Sequence, residues 1–317
     1  MRFGLLSGAL WGLDTVILGI ALAMAPFVGG GHAALSGAVL HDVTSALILL
    51  VYMAARGRLQ DTLAAVRTRS GRAVITAALL GGPVGMTGYL LAISNIGPAY
   101  TAITSTFYPA AGTVLAFFVL GERMRPRQVI ALVTALAAII VIGWSSSRST
   151  ESGSALIGVL GAVTCVLGWG SEAVLLTWGM REETIDNETA LQIRQTTSAL
   201  VYVLVVAPLG GALGLAGRAV ASPATALVAL AALAGSASYL FYYRALGTIG
   251  ASRGMALNIS YSAWAVLFAL LLQGTVPTAV QLVCCAVILA GTVLAATPRW
   301  SLLWSRPSQP SSPATSS

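Results

Sequence analysis

Apolar residues run through this chain in long blocks, separated by short segments rich in arginine, glycine and proline. The blocks fall near 3–27, 34–55, 73–95, 98–120 and 127–145, then near 155–179, 189–213, 224–243, 254–272 and 278–297. Crossing a hydrocarbon layer of about 30 Å takes roughly 20 apolar residues as helix, because every backbone group must be satisfied internally. The pattern therefore predicts an all-α membrane protein with ten transmembrane helices. The first block follows a single Arg2 without a clear small-residue cleavage site, so it reads as a retained helix rather than a signal peptide.

Composition agrees. The chain has 317 residues, 57% hydrophobic and 9% charged, with a mean hydropathy of +0.86. A soluble domain carries roughly a quarter charged residues. All 17 basic residues are arginine. Arg56, Arg58, Arg67, Arg69 and Arg72 fill the second connection and Arg123, Arg125 and Arg127 the fourth. Arg181, Arg244, Arg253, Arg299 and Arg306 join them on one side of a ten-span count, while Arg148 and Arg218 take the other. By the positive-inside rule both termini are expected in the cytoplasm of a bacterium, the chain lying in its inner membrane. The net charge of +7 is then a topology signal and calls for no nucleic acid.

The three cysteines, Cys165, Cys284 and Cys285, lie inside apolar blocks without metal-ligand or disulfide spacing, so no metal or cofactor is expected. Residues 299–317 are Ser/Pro-rich and are expected to be a disordered cytoplasmic tail.

The chain also repeats itself. Trp11-Gly12-Leu13-Asp14 returns as Trp169-Gly170-Ser171-Glu172 at an offset of 158, and Thr44–Leu47 returns as Thr197–Leu200 at 153. At 153 Tyr89 matches Tyr242, Ile96-Gly97 match Ile249-Gly250, and Tyr108 matches Tyr261; near the fifth block the offset slips to 151, aligning Pro126 with Pro277 and Glu122 with Gln273. Two five-helix halves follow, 1–146 and 153–298. Five is odd, so the second half inserts upside down. Inverted repeats of this kind hold a site near the bilayer midplane, between the halves, and permit alternating access.

The shared aromatics are candidates for lining that interface, or are packing left over from duplication. Trp144, Trp178, Trp300 and Trp304 sit at block ends, where an aromatic belt explains them; Trp11, Trp169 and Trp264 lie mid-block, where it does not. Asp14, His41, Asp42, Glu172 and Arg194 also fall inside blocks, where ionisable groups are costly and commonly mark a pathway or proton relay. Glu172 lies one turn from Trp169, so indole and carboxylate can address one volume. His41 and Asp42 align with Arg194 and Gln195. The first two read as a hydrogen-bonded pair or a proton relay; Arg194 reads as a partner of Glu172 or of the acidic loop Glu182, Glu183, Asp186 and Glu188. A carboxylate among tryptophan and tyrosine faces suits an ammonium cation, since ring quadrupoles attract desolvated cations by about 2 kcal/mol or more. An enzyme would need clustered catalytic groups; the chain has only two histidines, His32 and His41, and no such cluster. Gly8 and Gly12 allow close helix approach, within the bundle or between copies, so monomer and homodimer both stay open.

Five-plus-five helices, WG on the first helix of each half, and Gly121-Glu122-Arg123 ending the fourth block resemble the drug/metabolite transporter superfamily, EamA-like in type. His41–Leu50 (HDVTSALILL), Gly81–Met86 (GGPVGM), Trp169–Leu175 (WGSEAVL), Leu191–Tyr202 (LQIRQTTSALVY) and Ala256–Ala269 (ALNISYSAWAVLFA) resemble its bacterial choline-permease branch. The resemblance implies a proton-coupled transporter with an aromatic pocket built on Trp11, Tyr108, Trp169, Glu172 and Tyr242 or Tyr239. Asp14 departs from that branch. The expectation is a secondary transporter of choline or a related alkylammonium ion, held by Trp11, Tyr108, Trp169, Tyr239, Tyr242, Tyr261 and Trp264 with Glu172 as counter-charge. Protonation of Glu172, Asp14, His41 or Asp42 would couple it to protons. A superfamily exporter of amino acids, metabolites or cationic drugs is the rival.

Overall fold

The computed structural model describes residues 1–146, 154–181, 185–298 and 300. Among them, ten helices are long and apolar enough to cross a membrane, and they are called spans 1 to 10. The first half has Arg2–Leu22, Ala33–Ala55, Arg69–Gly97, Tyr100–Leu120 and Pro126–Trp144; the second has Ala155–Arg181, Asn187–Leu209, Pro223–Ile249, Ala251–Gln273 and Ala279–Ala296. Short helices at Leu59–Val66 and Leu213–Ala219 lie in the connections after spans 2 and 7. Arg148, Glu182 and Glu183 and most of the expected tail fall outside the described residues. Trp300 at the head of that tail is placed: its indole N–H donates to the Leu294 carbonyl at 3.1 Å and its ring lies 5.8 Å from the Arg127 guanidinium.

Local chemistry starts the spans. Thr68 caps span 3 by accepting from the Gly71 N–H, and Asp186 caps span 7 by accepting from the Thr189 N–H at 2.8 Å. Gln128 and Gln281 are repeat equivalents, and each accepts the backbone N–H three residues earlier, Arg125 at 3.0 Å and Thr278 at 2.9 Å. Inside the spans, Thr15, Thr76, Ser94, Thr134, Thr164 and Thr177 turn their hydroxyls back to the carbonyl four residues before, so these hydroxyls are satisfied within their own helices.

The duplication is written in the backbone. Gly97 and Gly250 have φ of 81° and 88°, and Gly121 and Gly274 both have φ of 68°; each pair is 153 residues apart. These are turn points where only glycine escapes a Cβ clash. The first pair separates spans 3 and 4 in one half and spans 8 and 9 in the other. The second ends spans 4 and 9 in left-handed caps. The constant 153 through Gly121 corrects the slipped register: the equivalent of Glu122 is Thr275, not Gln273. The acid is unrepeated either way.

Spans 4 and 9 are both broken in the middle. Span 4 loosens at Thr106-Phe107 and resumes as Tyr108–Leu120; span 9 loosens at Ile259-Ser260 and resumes as Tyr261–Gln273. The matched tyrosines each open the resumed half. Wide π-turns interrupt span 3 at Leu80–Gly85, which contains Pro83, and span 7 at Tyr202–Val206, just before Pro208. Proline supplies no N–H and pushes the preceding turn apart.

Packing between the halves repeats in inverted order. Span 1 packs on spans 8 and 9, and span 6 packs on spans 3 and 4; span 2 meets its own equivalent, span 7, and span 5 meets span 10. The repeated Trp-Gly dipeptide has a steric cause. A Cβ on Gly12 would lie 2.9 Å from the Tyr261 carbonyl oxygen, and one on Gly170 would lie 3.0 Å from that of Tyr108. Bare backbone there lets spans 1 and 6 close on the broken spans. Gly8 is likewise used inside the bundle, where a Cβ would meet Ser260 Oγ at 2.2 Å.

Candidate functional site

Between the halves, where the broken spans meet the tryptophans, lies a cavity of about 350 Å³. Its walls include Trp11, Tyr89, Tyr108, Trp169, Tyr239, Tyr242 and Tyr261, together with Asp14, His41, Asp42, Glu172 and Arg194. From the rings it extends along Leu18 and Leu22 of span 1, Ala34 and Ala38 of span 2, and Leu90 and Ile93 of span 3. All six lie toward the end of the bundle opposite the arginine-rich connections.

The aromatic walls form two groups, each built from the tryptophan of one half and tyrosines of the other. Trp11 meets Tyr239 edge-on at 5.0 Å, and Tyr239 meets Tyr242 at 6.5 Å. Trp169 stacks on Tyr89 at 5.6 Å and meets Tyr108 edge-on at 5.9 Å. The Trp169 indole N–H donates to the Gly81 carbonyl at 3.1 Å, which fixes the ring by a carbonyl of the span 3 π-turn. The Tyr108 hydroxyl donates to Asn258 Oδ1 at 2.8 Å, and Asn258 Nδ2 donates to Ser7 Oγ at 2.9 Å. Trp264 is the exception among the expected cage residues. It is absent from the cavity wall; its ring tilts against Phe268 at 6.5 Å and its Cβ lies over Gly12. Mid-span depth placed it correctly along the helix but says nothing about which way the ring faces.

The charged groups form one connected network. His41 Nε2 and Asp14 Oδ1 are 3.0 Å apart, and His41 Nδ1 is 3.8 Å from Asp42 Oδ1. Asp42 accepts from Gln195 Nε2 at 3.0 Å and from Ser198 Oγ at 2.5 Å. Arg194 donates from Nη1 to Gln195 at 2.9 Å, from Nε to Glu172 Oε1 at 2.7 Å, and from Nη2 to the Tyr239 hydroxyl at 3.2 Å. Its guanidinium carbon also sits 4.7 Å from the Tyr239 ring centre. Asp42 and Gln195 are repeat equivalents in direct contact, so the axis relating the halves passes between them.

These contacts choose between the alternatives the sequence left open. Arg194 partners Glu172, not the acidic loop, whose Asp186 and Glu188 are taken by Arg58. Glu172 is therefore paired, one of the two alternatives open for Arg194, and is not a lone counter-charge. Three carboxylates face one guanidinium, however, so the network stays negative even with His41 protonated. Glycines make room for it: a Cβ on Gly81 would lie 1.8 Å from Glu172 Oε2, one on Gly82 2.4 Å from Ser198 Oγ, and one on Gly235 2.9 Å from Asp14 Oδ2. That is the physical content of the Gly81-Gly82 motif in span 3.

Sequence reasoning missed Asn258 and placed Tyr239 only through resemblance. Asn258 is the last residue of its helix before the break in span 9, a signal readable only once the break is known.

The arginine-rich end is closed by ion pairs. Arg58 bonds Asp61 at 2.8 Å, Glu188 at 2.7 Å, and Asp186. Burial alone would raise the Asp186 carboxyl, but the Thr189 N–H and Arg58 outweigh it and hold it below the usual range. Glu122 accepts the backbone N–H groups of Ala251 and Ser252 at 3.0 and 2.9 Å, at the start of span 9, and Arg181 binds it at 2.8 Å. The equivalents of Arg58, Asp186 and Glu122 in the other half are Gly211, Ala33 and Thr275, so these three closing contacts are not repeated at the opposite end. Among the described residues no group of three or more His, Cys, Asp or Glu could hold a metal ion.

Comparison with known proteins agrees with this architecture. A relative described as protein LicB, from Haemophilus influenzae, is 28% identical over 192 residues, 59% of this chain; the match spans 62% of that relative's length. A solved crystal structure that is 20% identical, covering 93% of this chain and 95% of its own, superposes with a TM-score of 0.65, a likeness of fold alone. The EamA-like transporter family matches residues 2–144 and again 156–297, one match per half. Covered in this way over both repeats, the chain belongs to the EamA-like transporter family.

Proposed function

We propose that this membrane transporter carries choline or a related quaternary or alkylammonium ion, coupled to protons, by alternating access between the two halves. The supporting observation is a cavity walled by tryptophan and tyrosine in which three carboxylates face one guanidinium. A desolvated cation gains about 2 kcal/mol or more on an aromatic face, and the surplus negative charge rejects anions. The volume, about 350 Å³, is at the small end of ligand cavities, which run roughly 300–1,000 Å³. That favours a small metabolite over a bulky drug. With the arginine-rich connections facing the cytoplasm, the reading places both termini there and the chain in a bacterial inner membrane.

The test is thermal-shift screening of the purified protein against choline, betaine, carnitine, aromatic amines and 3,3-dimethylbutanol, the uncharged carbon analogue of choline. Choline should stabilise and the neutral analogue should not. Equal stabilisation by both sinks the cation reading. The rival, an exporter of amino acids, metabolites or cationic drugs, draws on the same charge surplus. Radiolabelled substrate movement in proteoliposomes under pH gradients of either sign separates the two.

A further inference from the structure

The two ion pairs of the cavity occupy equivalent places in the inverted halves. In the first half an acid on span 1, Asp14, pairs with a base on span 2, His41, at 3.0 Å. In the second an acid on span 6, Glu172, pairs with a base on span 7, Arg194, at 2.7 Å. Asp14 and Glu172 match at offset 158, and His41 and Arg194 match at 153. One pair has been kept in duplicate with a single chemical difference: imidazole gains and loses a proton near neutral pH, whereas guanidinium stays charged.

We infer that His41 carries the transported proton, and that Glu172–Arg194 is its non-titrating copy. This rests on the cation reading above and specifies it. Every charged group facing the histidine supports the count. Asp14 reaches it from span 1, Asp42 from its own span, and Arg194 from span 7 through Gln195 and Asp42. Span 8 packs on span 2 with Gly235 against the Asp14–His41 contact and brings the hydroxyls of Ser238, Tyr239 and Tyr242 to the same cavity; span 7 also adds Tyr202. The short helix Leu213–Ala219 also packs on span 2, and its charged residue, Arg218, lies in its last turn.

With His41 neutral, the three carboxylates outnumber the one guanidinium by two charges. A proton on His41 removes one of these and a monovalent cation removes the other. Only the doubly loaded cavity is neutral, and uncompensated charge is costly in a low-dielectric interior. Proton and cation, both positive, weaken each other's binding, and the neutral load is the one that crosses. The step forms and breaks nothing but the imidazolium N–H bond: the proton enters from water on one side and leaves to water on the other.

Choline affinity of the purified full chain, measured by calorimetry from pH 5 to 9 in buffers of different ionisation enthalpy, tests this. Wild type should release up to one proton per choline bound in the pH range where His41 titrates, with Kd weakening as pH falls through it. His41→Arg should bind with no proton release and a Kd flat in pH. Arg194→His should add a second pH-dependent step. Proton release that survives in His41→Arg and disappears in Glu172→Gln overturns the inference and leaves the cation reading standing. If choline and the other amines fail to bind wild type, the cation reading falls. Imidazole NMR of His32→Gln, in which His41 is the remaining histidine, then decides the proton site alone. A His41 signal that titrates between pH 5 and 9 and is displaced in Asp14→Asn supports it; a signal that does not move overturns it.

Discussion

Gly81→Ala is the sharpest test of how the polar network is housed. The alanine methyl would sit 1.8 Å from Glu172 Oε2 and 2.1 Å from Glu172 Cδ, and real Cβ atoms essentially never come within 3.0 Å of another heavy atom. A free glutamate would swing aside at little cost. This one is pinned by Arg194 at 2.7 Å, with side-chain exposures of 9% and 5% for the pair. Widening the first contact to 3.0 Å drives the carboxylate off the guanidinium or spreads the span 3 π-turn. Losing a buried charge-assisted hydrogen bond costs about 1.5–3 kcal/mol. Replacing a helical glycine by alanine returns up to about 1 kcal/mol. The electrostatic loss wins, leaving a net destabilisation of about 0.5–2 kcal/mol, or roughly 1–8 °C in the unfolding midpoint. Gly247→Ala is the matched control, since a methyl there has no heavy atom within 4 Å and only the helix gain applies. Thermal unfolding of the three proteins in one detergent reads the difference. If Gly81→Ala unfolds at or above the Gly247→Ala midpoint, the argument that this glycine exists to seat the Glu172–Arg194 pair is wrong.

Three further outcomes are expected. Trp264→Leu should leave choline affinity unchanged, whereas Trp169→Leu should weaken it about 30-fold, the equivalent of ~2 kcal/mol for a lost aromatic face; matching losses in titration calorimetry would return Trp264 to the site. Gly250→Ala should destabilise more than Gly97→Ala. Both place a Cβ at strained φ, costing of order 1–3 kcal/mol, but only at Gly250 does the methyl also strike Glu122 Oε1, at 2.6 Å, while Gly97 has open space; equal midpoints would refute the Glu122 contact. The depressed Asp186 carboxyl contributes stability that is present above the ordinary aspartate pKa of about 4 and lost as pH falls through its lower folded value. Wild type should therefore lose an acid-sensitive component that Asp186→Asn lacks, and superimposable pH–midpoint curves for the two would contradict it.

The spans were legible because lipid imposes one rule along their whole length. Their ends were less so, and for particular reasons. Span 3 starts at Arg69, earlier than the apolar run suggests, because the Thr68 hydroxyl caps it. Span 8 continues past Arg244 to Ile249, because that guanidinium lies over the Phe3 ring at 4.4 Å and its charge does not stop the helix. The breaks in spans 4 and 9 left no mark in hydropathy, since apolar residues flank them on both sides. At the site, duplication exposed the rings and the acids. It could not say whether Arg194 turned to Glu172 or to the acidic loop, because azimuth is decided by the neighbouring helices. Trp264 failed for the same reason. Asn258 was hidden because it has no counterpart, its equivalent being Ser105.

The contact between Asp42 and Gln195 has a mechanical corollary. A motion in which two related bodies trade shapes leaves the points on their common axis where they were. The bond between equivalent residues therefore acts as a bearing: it persists while partners farther out part and re-form. Tethering positions 42 and 195 should leave the swing free, whereas a staple placed well off the axis should arrest it in one pose.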